Sequence, residues 1–205
     1  MARALILVDL QYDFCPGGAL AVAHGDETIA VANKLMPAFQ TVVATQDWHP
    51  ASHASFAVNN PGRKVGEVAE LDGLPQVMWP AHCVQGTRGA ELHEGLDKKR
   101  ITHVFRKGTD EKIDSYSGFF DNGHKKSTGM GDWLKQHGVD DVTVLGLATD
   151  YCVKFTALDA RGLGMNVTLV TDGCRGVDLS PGDSAKAIEE MRAAGVTITD
   201  SANVG

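Results

Sequence analysis

The sequence predicts an α/β fold in which one open parallel sheet of about six strands is covered by helices on both faces. Short runs rich in Val, Ile, Leu and Thr recur along the chain, and helical patterns fall between them. This alternation is typical of parallel sheets, because each crossing back to a parallel neighbour needs a long connection. No Pro/Ser-rich linker divides the 205 residues, so we expect a single domain over residues 1–205.

The elements follow in order along the chain. The predicted strands are "ALILVDL" (4–10), "TVVATQD" (41–47), "HVFRK" (103–107), "VTVLGLA" (142–148), "NVTLVTDG" (166–173) and a short "TITD" (197–200). The predicted helices cover 26–37, 129–138, 151–163 and 183–194, and glycines end the last two, as helix C-termini prefer. Regions 48–80 and 108–126 have no clear pattern, and loops this long are usually functional or contain short elements.

Composition and charge limit the kinds of partner. The net charge is −7 and no Lys/Arg cluster occurs, which argues against nucleic acid or an anionic membrane surface. No apolar stretch approaches the roughly 20 residues that span a bilayer, and Asp9 interrupts the first apolar run, so no signal peptide is predicted. We therefore expect a soluble, cytoplasmic protein with a small-molecule partner, and homo-oligomer formation is left open.

The four cysteines are predicted to be free thiols. They stand at Cys15, Cys83, Cys152 and Cys174, and no two of them form a C-x-x-C pair. Without a secretory signal, disulfides are not expected, and one of these thiols is a candidate for catalysis.

Reactive side chains stand where four predicted strands end. Asp9, Asp47 and Lys107 end the first three strands, and Cys152 follows the fourth at the start of a predicted helix. Each alone has an ordinary explanation, as a cap, a solvated lysine or a small core residue. Ligands of open parallel sheets, however, bind beyond the carboxyl ends of the strands. The coincidence of the four therefore predicts a site at this edge.

Cys152 is the candidate nucleophile of that site. A helix N-terminus and the Lys107 ammonium are both expected to favour its thiolate. A neighbouring carboxylate can take and return the proton, and Asp9 is the candidate for this acid/base role.

A candidate metal site lies in the segments after the second strand. Asp47 and His49 are two residues apart, and His82 can supply a third ligand from a later loop. One carboxylate and two imidazoles suit Zn²⁺, Fe²⁺ or Mn²⁺, although an Asp-x-His pair is equally compatible with no metal. His53 has comparable spacing, and Cys83 would give a softer, closed site. We expect neither as a direct ligand.

Three aromatic residues are candidates for the wall of a pocket. Phe14, Trp79 and Tyr116 lie in the segments that carry the other candidate residues. Such residues either enclose a flat ring or serve as ordinary core and lid residues.

Five segments carry a resemblance to a known family. They are "DLQYDFCPGGAL", "QDWHPASHASF", "WPAHCVQGT", "VFRKGTD…DSYSGF" and "GLATDYCV", and they occur in order from the first strand to the last helices. Together they resemble the motifs of the nicotinamide-hydrolysing members of the isochorismatase-like hydrolase superfamily. The resemblance implies a Rossmann-like sheet and hydrolysis of nicotinamide, a linear amide, to nicotinate and ammonia in NAD salvage.

The resemblance also implies roles for individual residues. Cys152 would form a thioester, with Asp9 as acid/base and Lys107 as the third member of a triad. A cis peptide bond would join Leu147 to Ala148, and the backbone N–H groups of Ala148 and Cys152 would form an oxyanion hole.

The same resemblance implies a metal and a ring pocket. Asp47, His49 and His82 match the family's ligands for a divalent ion, Zn²⁺ or else Fe²⁺ or Mn²⁺, which would hold the pyridine nitrogen. Phe14, Trp79 and Tyr116 match its ring pocket.

Three alternatives stay open at this point. The first is another cysteine amidohydrolase of the superfamily, whose N-carbamoyl or maleamate-type substrates would need an arginine in the pocket. The second is a dinucleotide-binding protein, although the turn after the first strand lacks G-x-G-x-x-G. The third is a non-catalytic metal or redox sensor that uses His82, Cys83 and Cys152.

Overall fold

The computed structural model describes residues 2–204 and contains one six-stranded parallel sheet. Its strands are β1 (Ala2–Val8), β2 (Thr41–Asp47), β5 (His103–Lys107), β6 (Val139–Leu147), β7 (Asn166–Arg175) and β8 (Thr197–Thr199). They lie in the order β5-β2-β1-β6-β7-β8, and every neighbouring pair is parallel. All six predicted strands are present, and the predicted α/β fold class is confirmed.

Within residues 2–204, four α-helices cover the sheet. They are α1 (Glu27–Leu35), α2 (Met130–Gln136), α3 (Lys154–Gly162) and α4 (Asp183–Ala193). Helix α1 packs against β6 and β7, α2 packs against β6, and α3 packs against β7 and α4. Residues Ala4–Val8 of β1 are fully buried one after another, as expected for a strand covered on both faces. No helix within residues 2–204 is long and apolar enough to cross a membrane.

The neighbouring strands β1 and β6 mark the point where the strand order reverses. From β1 the chain proceeds to β2 and β5 on one side, and it then returns to β6, β7 and β8 on the other. Val8 pairs with Gly146 at the carboxyl ends of the two strands. A Cβ atom at Gly146 would lie 2.2 Å from the Val8 carbonyl oxygen, so only glycine allows this approach. Ligands of open α/β sheets bind at such a reversal.

One of the two regions without a clear pattern contains a hairpin that the sequence analysis missed. Strands β3 (Val68–Leu71) and β4 (Leu74–Val77) are antiparallel and pair Leu71 with Leu74. Asp72 and Gly73 form the two-residue turn, and both have positive φ, at 51° and 78°. An Asp-Gly turn with two positive φ angles is a strong hairpin signal. The hairpin carries the buried Gln76, which reaches the wall of the site described below.

Candidate active site

Lys107 lies at the centre of the four strand-end residues. Its Nζ atom is 2.9 Å from Asp9 Oδ2, 3.0 Å from Asp47 Oδ1 and 3.4 Å from Cys152 Sγ. It also donates to the Ser115 carbonyl oxygen at 2.9 Å. Burial lowers the pKa of this ammonium, but Asp47 and Asp9 outweigh burial and hold it well above its usual range. The structure thus brings the four residues together around one buried positive charge.

Asp9 is held in a conformation that directs its carboxylate into the site. Its φ angle is +48°, and its backbone N–H donates to Thr45 Oγ1 at 3.1 Å. The Thr45 hydroxyl in turn donates to Asp9 Oδ1 at 2.6 Å. Burial raises the pKa of the carboxyl, against the opposing charge of Lys107 and with a smaller contribution from Asp47. A carboxyl with a raised pKa exchanges protons more readily near neutral pH than an ordinary aspartate does.

Cys152 lies in a single π-helical turn, Thr149–Val153, that joins β6 to α3. The expected cis peptide bond between Leu147 and Ala148 is present just before this turn. The backbone N–H groups of Tyr151 and Val153 both donate to the Ala148 carbonyl oxygen at 3.1 Å. This turn, rather than the first turn of an α-helix, therefore places the thiol beside Lys107.

The thiolate that we expected at Cys152 is not favoured in the resting site. Burial raises the pKa of the thiol well above its usual range. Lys107 opposes this effect, but Asp9 and Asp47 add to it. The sequence indicated the positive neighbour but not the burial of the thiol.

Asp47 faces two imidazoles with its second carboxylate oxygen. Oδ2 lies 3.0 Å from His49 Nε2 and 3.4 Å from His82 Nε2. The Nδ1 atoms face carbonyl oxygens, at 2.9 Å to Gly108 for His49 and at 2.8 Å to Pro80 for His82. A carbonyl oxygen only accepts, so each Nδ1 carries a proton, and in the neutral form of each ring the lone pair lies at Nε2, on the side of Asp47.

This arrangement of lone pairs fits a divalent cation. The ligating atoms of Asp47, His49 and His82 all lie within 4.8 Å of one another. Burial lowers the pKa of His49, but Asp47 outweighs burial and raises it above the usual value. The site therefore favours positive charge next to Asp47. One carboxylate and two imidazoles oriented by backbone carbonyls are a typical ligand set for such an ion.

His53 and Asp114 form a second group of possible ligands with His49. The His53 Nδ1 atom lies 2.8 Å from Ser55 Oγ and 3.2 Å from the Ser55 backbone nitrogen. Cys83 belongs to neither group, and its Sγ lies 4.0 Å from the Gly89 carbonyl oxygen.

A pocket opens between the thiol and the two imidazoles. Its lining includes all four residues predicted for it, Phe14, Trp79, Tyr116 and Ala148. The further lining residues are Leu20, Asp47, His82, Asp114, Tyr151, Cys152 and Val177. Cys152 of the predicted triad, two of the predicted metal ligands and all four predicted pocket residues thus line one cavity with aromatic walls.

Three residues near the pocket were missed from the sequence: Gln11, Asp114 and Tyr151. The Gln11 side chain pairs with both backbone groups of Asp47, donating to its carbonyl oxygen and accepting from its N–H at 2.8 Å each. Asp114 is buried and accepts from Gln76 Nε2 at 3.1 Å. Tyr151 lines the pocket. The sequence did contain a signal for two of them, namely proximity to a candidate catalytic residue. Gln11 lies two residues after Asp9, and Tyr151 directly precedes Cys152.

The comparisons with known proteins agree on one family. The model of the isochorismatase domain matches residues 3–203. The nicotinamidase of Escherichia coli is 56% identical over 200 residues, covering 96% of this chain and 93% of that protein. A structure of the nicotinamidase/pyrazinamidase of Acinetobacter baumannii has a TM-score of 0.96 and 45% identity, covering 99% of this chain and 98% of that one.

A third match is the pyrazinamidase of Pyrococcus horikoshii, solved in complex with zinc. Its TM-score is 0.80 and its identity 36%, with 98% of this chain and 99% of that chain covered.

Proposed function

The chain belongs to the isochorismatase family, and from this premise we propose that it is a nicotinamidase, which hydrolyses nicotinamide to nicotinate and ammonia. The observation that carries the proposal is the position of Lys107 and Asp47. Lys107 connects the carboxyl and thiol needed for amide hydrolysis to Asp47, whose other oxygen faces two imidazole lone pairs across the same pocket. A nucleophile and a place for a cation therefore share one cavity.

Acylation begins with removal of the thiol proton. Asp9 accepts the proton from Cys152, and the sulfur attacks the carboxamide carbon to form a C–S bond. The negative charge that develops on the carboxamide oxygen is stabilised by the backbone N–H groups of Ala148 and Cys152. Asp9 then gives its proton to the leaving nitrogen, the C–N bond breaks, and ammonia departs. The Lys107 ammonium stabilises the negative charge on Asp9 before the proton transfer and the negative charge on the Cys152 sulfur after it.

Deacylation reverses the roles of the same groups. A water molecule attacks the thioester carbon while Asp9 accepts a proton from it. The C–S bond then breaks to give nicotinic acid, which loses its proton to solvent as nicotinate, and the proton on Asp9 returns to the sulfur. The raised pKa of Asp9 supports both transfers, since the carboxyl must hold a proton between them.

Asp47, His49 and His82 would hold a divalent ion, for which we propose zinc, with iron and manganese as the other candidates. When bound, the ion supplies a Lewis acid with open positions, suited to the lone pair of a pyridine nitrogen. The aromatic rings of Phe14 and Trp79 enclose the flat substrate. Holding the ring at its nitrogen orients the carboxamide toward Cys152.

We further propose that the enzyme works in the cytoplasm on a small-molecule substrate. The four cysteines are free thiols, which supports a reducing compartment. The homologous nicotinamidases support a role in NAD salvage.

A second candidate function is hydrolysis of an N-carbamoyl or maleamate-type substrate. Such compounds carry a carboxylate, which calls for a positive side chain in the pocket. No arginine lines the pocket among residues 2–204, and both Asp47 and Asp114 do. The charge of the pocket therefore supports an uncharged carboxamide instead.

The test is ammonia release by the purified, metal-loaded protein. Nicotinamide and an N-carbamoyl amino acid are supplied in parallel, and nicotinate is identified by chromatography. We expect stoichiometric ammonia and nicotinate from the first compound only. Turnover of the carbamoyl compound with none of nicotinamide would overturn the proposal.

A further inference from the structure

A groove of about 300 Å³ lies beside the active-site pocket. Its apolar lining comes mainly from the hairpin and from α3, and includes Val68, Pro75, Val77 and Phe155. The groove is also lined by Ala187 and by charged residues, namely Asp150, Lys154, Asp183, Lys186 and Glu190. Tyr116 and Tyr151 line both the groove and the pocket. These two tyrosine side chains therefore form a wall that the two cavities share.

Tyr116 is the fixed part of this wall. Its hydroxyl oxygen accepts from Gln76 Nε2 at 3.0 Å and from Trp79 Nε1 at 3.2 Å. Phe155 stacks on its ring from the groove, with centroids 5.4 Å apart and an interplanar angle of 26°. Displacing Tyr116 would break two hydrogen bonds and this ring contact.

Tyr151 is held much less firmly. Its ring stands edge-on to Trp79, with centroids 4.9 Å apart, and to Tyr116 at 5.4 Å. The side chain is half-buried, and its hydroxyl makes no hydrogen bond to any residue in the described range 2–204. Removing or rotating this ring therefore sacrifices aromatic contacts but no hydrogen bond.

We propose that the groove is a second subsite for ring-substituted pyridine carboxamides, and that Tyr151 closes it off and so limits the size of the substrate. The inference rests on the proposed function. With the ring nitrogen held near Asp47 and His82 and the carboxamide at Cys152, ring carbons 4, 5 and 6 remain directed at the other walls. A substituent on one of them can enter the groove only where Tyr151 now stands.

The lining of the groove determines which substituent it takes. Val68 is 64% exposed and Phe155 is 36% exposed, so both keep apolar surface open to solvent. An aromatic or aliphatic group covers such surface favourably. A phenyl substituent therefore suits the apolar part of the groove.

The experiment compares kcat/KM for nicotinamide with kcat/KM for its 4-, 5- and 6-phenyl derivatives, using metal-loaded full-length protein. The wild type is expected to discriminate against all three derivatives. Tyr151→Ala and the milder Tyr151→Leu should raise the derivative-to-nicotinamide ratio by about tenfold or more for at least one isomer. Tyr151→Phe should leave the ratio within a few-fold of wild type, since it retains the ring.

A second pair of variants tests whether the groove itself holds the phenyl group. In the Tyr151→Ala background, Val68→Asp places a charge in the groove and should remove most of the gain. Val58→Asp is the matched control, because Val58 is 76% exposed and does not line the groove. That substitution should leave the gain in place.

The outcomes separate this inference from the function on which it rests. Wild-type protein that releases no ammonia from nicotinamide would contradict the function itself. With nicotinamide hydrolysed, the inference is overturned by any of three results. These are a wild type that already accepts the phenyl derivatives, ratios that do not rise in either Tyr151 variant, and a gain that Val68→Asp and Val58→Asp affect equally.

Discussion

The two oxygens of the Asp47 carboxylate face opposite chemical situations. Oδ1 lies 3.0 Å from the Lys107 ammonium, a cation that the chain itself supplies. Oδ2 lies 3.0 and 3.4 Å from the Nε2 atoms of His49 and His82. One side of the carboxylate therefore faces an ammonium of the chain, and the other faces two imidazoles that can ligate a cation.

This difference divides the work of the site. On the Lys107 side, Asp9 and Cys152 have their pKa values raised by burial, which suits the exchange of one proton between them. On the histidine side, both rings are locked by backbone carbonyls into the tautomer that ligates a metal. The first side is built for bond breaking and the second for holding a ligand, and the predictions below test this separation.

The largest loss of activity is expected from substitutions of the residues that contact Lys107. Cys152→Ala should lower nicotinamide turnover by at least roughly 10⁴-fold, because the covalent route is lost. Asp9→Asn should be comparably severe, since an amide cannot transfer the proton. Ammonia release measures both. Substantial residual hydrolysis by Cys152→Ala, in protein that melts at the wild-type temperature, would contradict the cysteine mechanism.

Removal of the metal should have the next largest effect. Chelation is expected to lower turnover roughly 10³-fold, and Zn²⁺, Fe²⁺ or Mn²⁺ should restore it. His49→Ala and His82→Ala should each retain less metal, as measured by elemental analysis. Cys83→Ser is the matched control beside His82 and should retain its metal. Normal turnover by a sample verified to be free of metal would show that the ligand assignment is wrong.

Replacement of nicotinamide by benzamide tests the ligand-holding side through the substrate. The two rings have nearly the same shape, but benzamide has no nitrogen for the metal to hold. We expect kcat/KM for benzamide to be at least roughly 10² lower, because sites built around one polar partner reject analogues that lack it. Both rings fill the aromatic pocket equally, so the comparison isolates the nitrogen. Rates within a few-fold of each other would exclude a substrate-holding metal.

The smallest loss of metal affinity is expected from a change at Gln11, whose side chain binds the backbone of Asp47. Gln11→Glu removes the donor that binds the carbonyl oxygens of Asp47 and Ala90, at 2.8 Å each. Metal affinity should fall about tenfold, as when an outer partner of a ligand is lost. Gln46→Glu is the control, because Gln46 also donates to the Ala90 carbonyl oxygen at 2.8 Å. Equal losses of metal in the two variants would assign the effect to Ala90 rather than Asp47.

The clustering of the residues at the strand ends was predictable from the sequence, because the carboxyl ends of parallel strands lie at one edge of the sheet. Asp9, Asp47 and Lys107 each stand at the end of a predicted strand, so their meeting follows from the predicted sheet alone. The cis peptide before Cys152 followed only from the family resemblance. Apolar periodicity carries no information about a single peptide bond.

The walls of the pocket were harder to predict, since they come from irregular segments. Gln76 reaches Tyr116 from a hairpin whose Asp72-Gly73 turn lies inside a long stretch without apolar periodicity. The burial that opposes the expected Cys152 thiolate was hard to predict for a related reason. Sequence spacing identified the neighbouring Lys107, but burial depends on how every surrounding segment packs.

The separation of bond breaking from ligand holding is tested most directly by binding of nicotinamide to the Cys152→Ala variant. Isothermal titration calorimetry would compare the metal-loaded variant with the same variant after removal of the ion. We predict that the loaded variant binds nicotinamide, although it cannot hydrolyse it, and that removal of the metal weakens binding by at least about tenfold. Equal affinities with and without metal would contradict the assignment of Asp47, His49 and His82 to a substrate-holding ion.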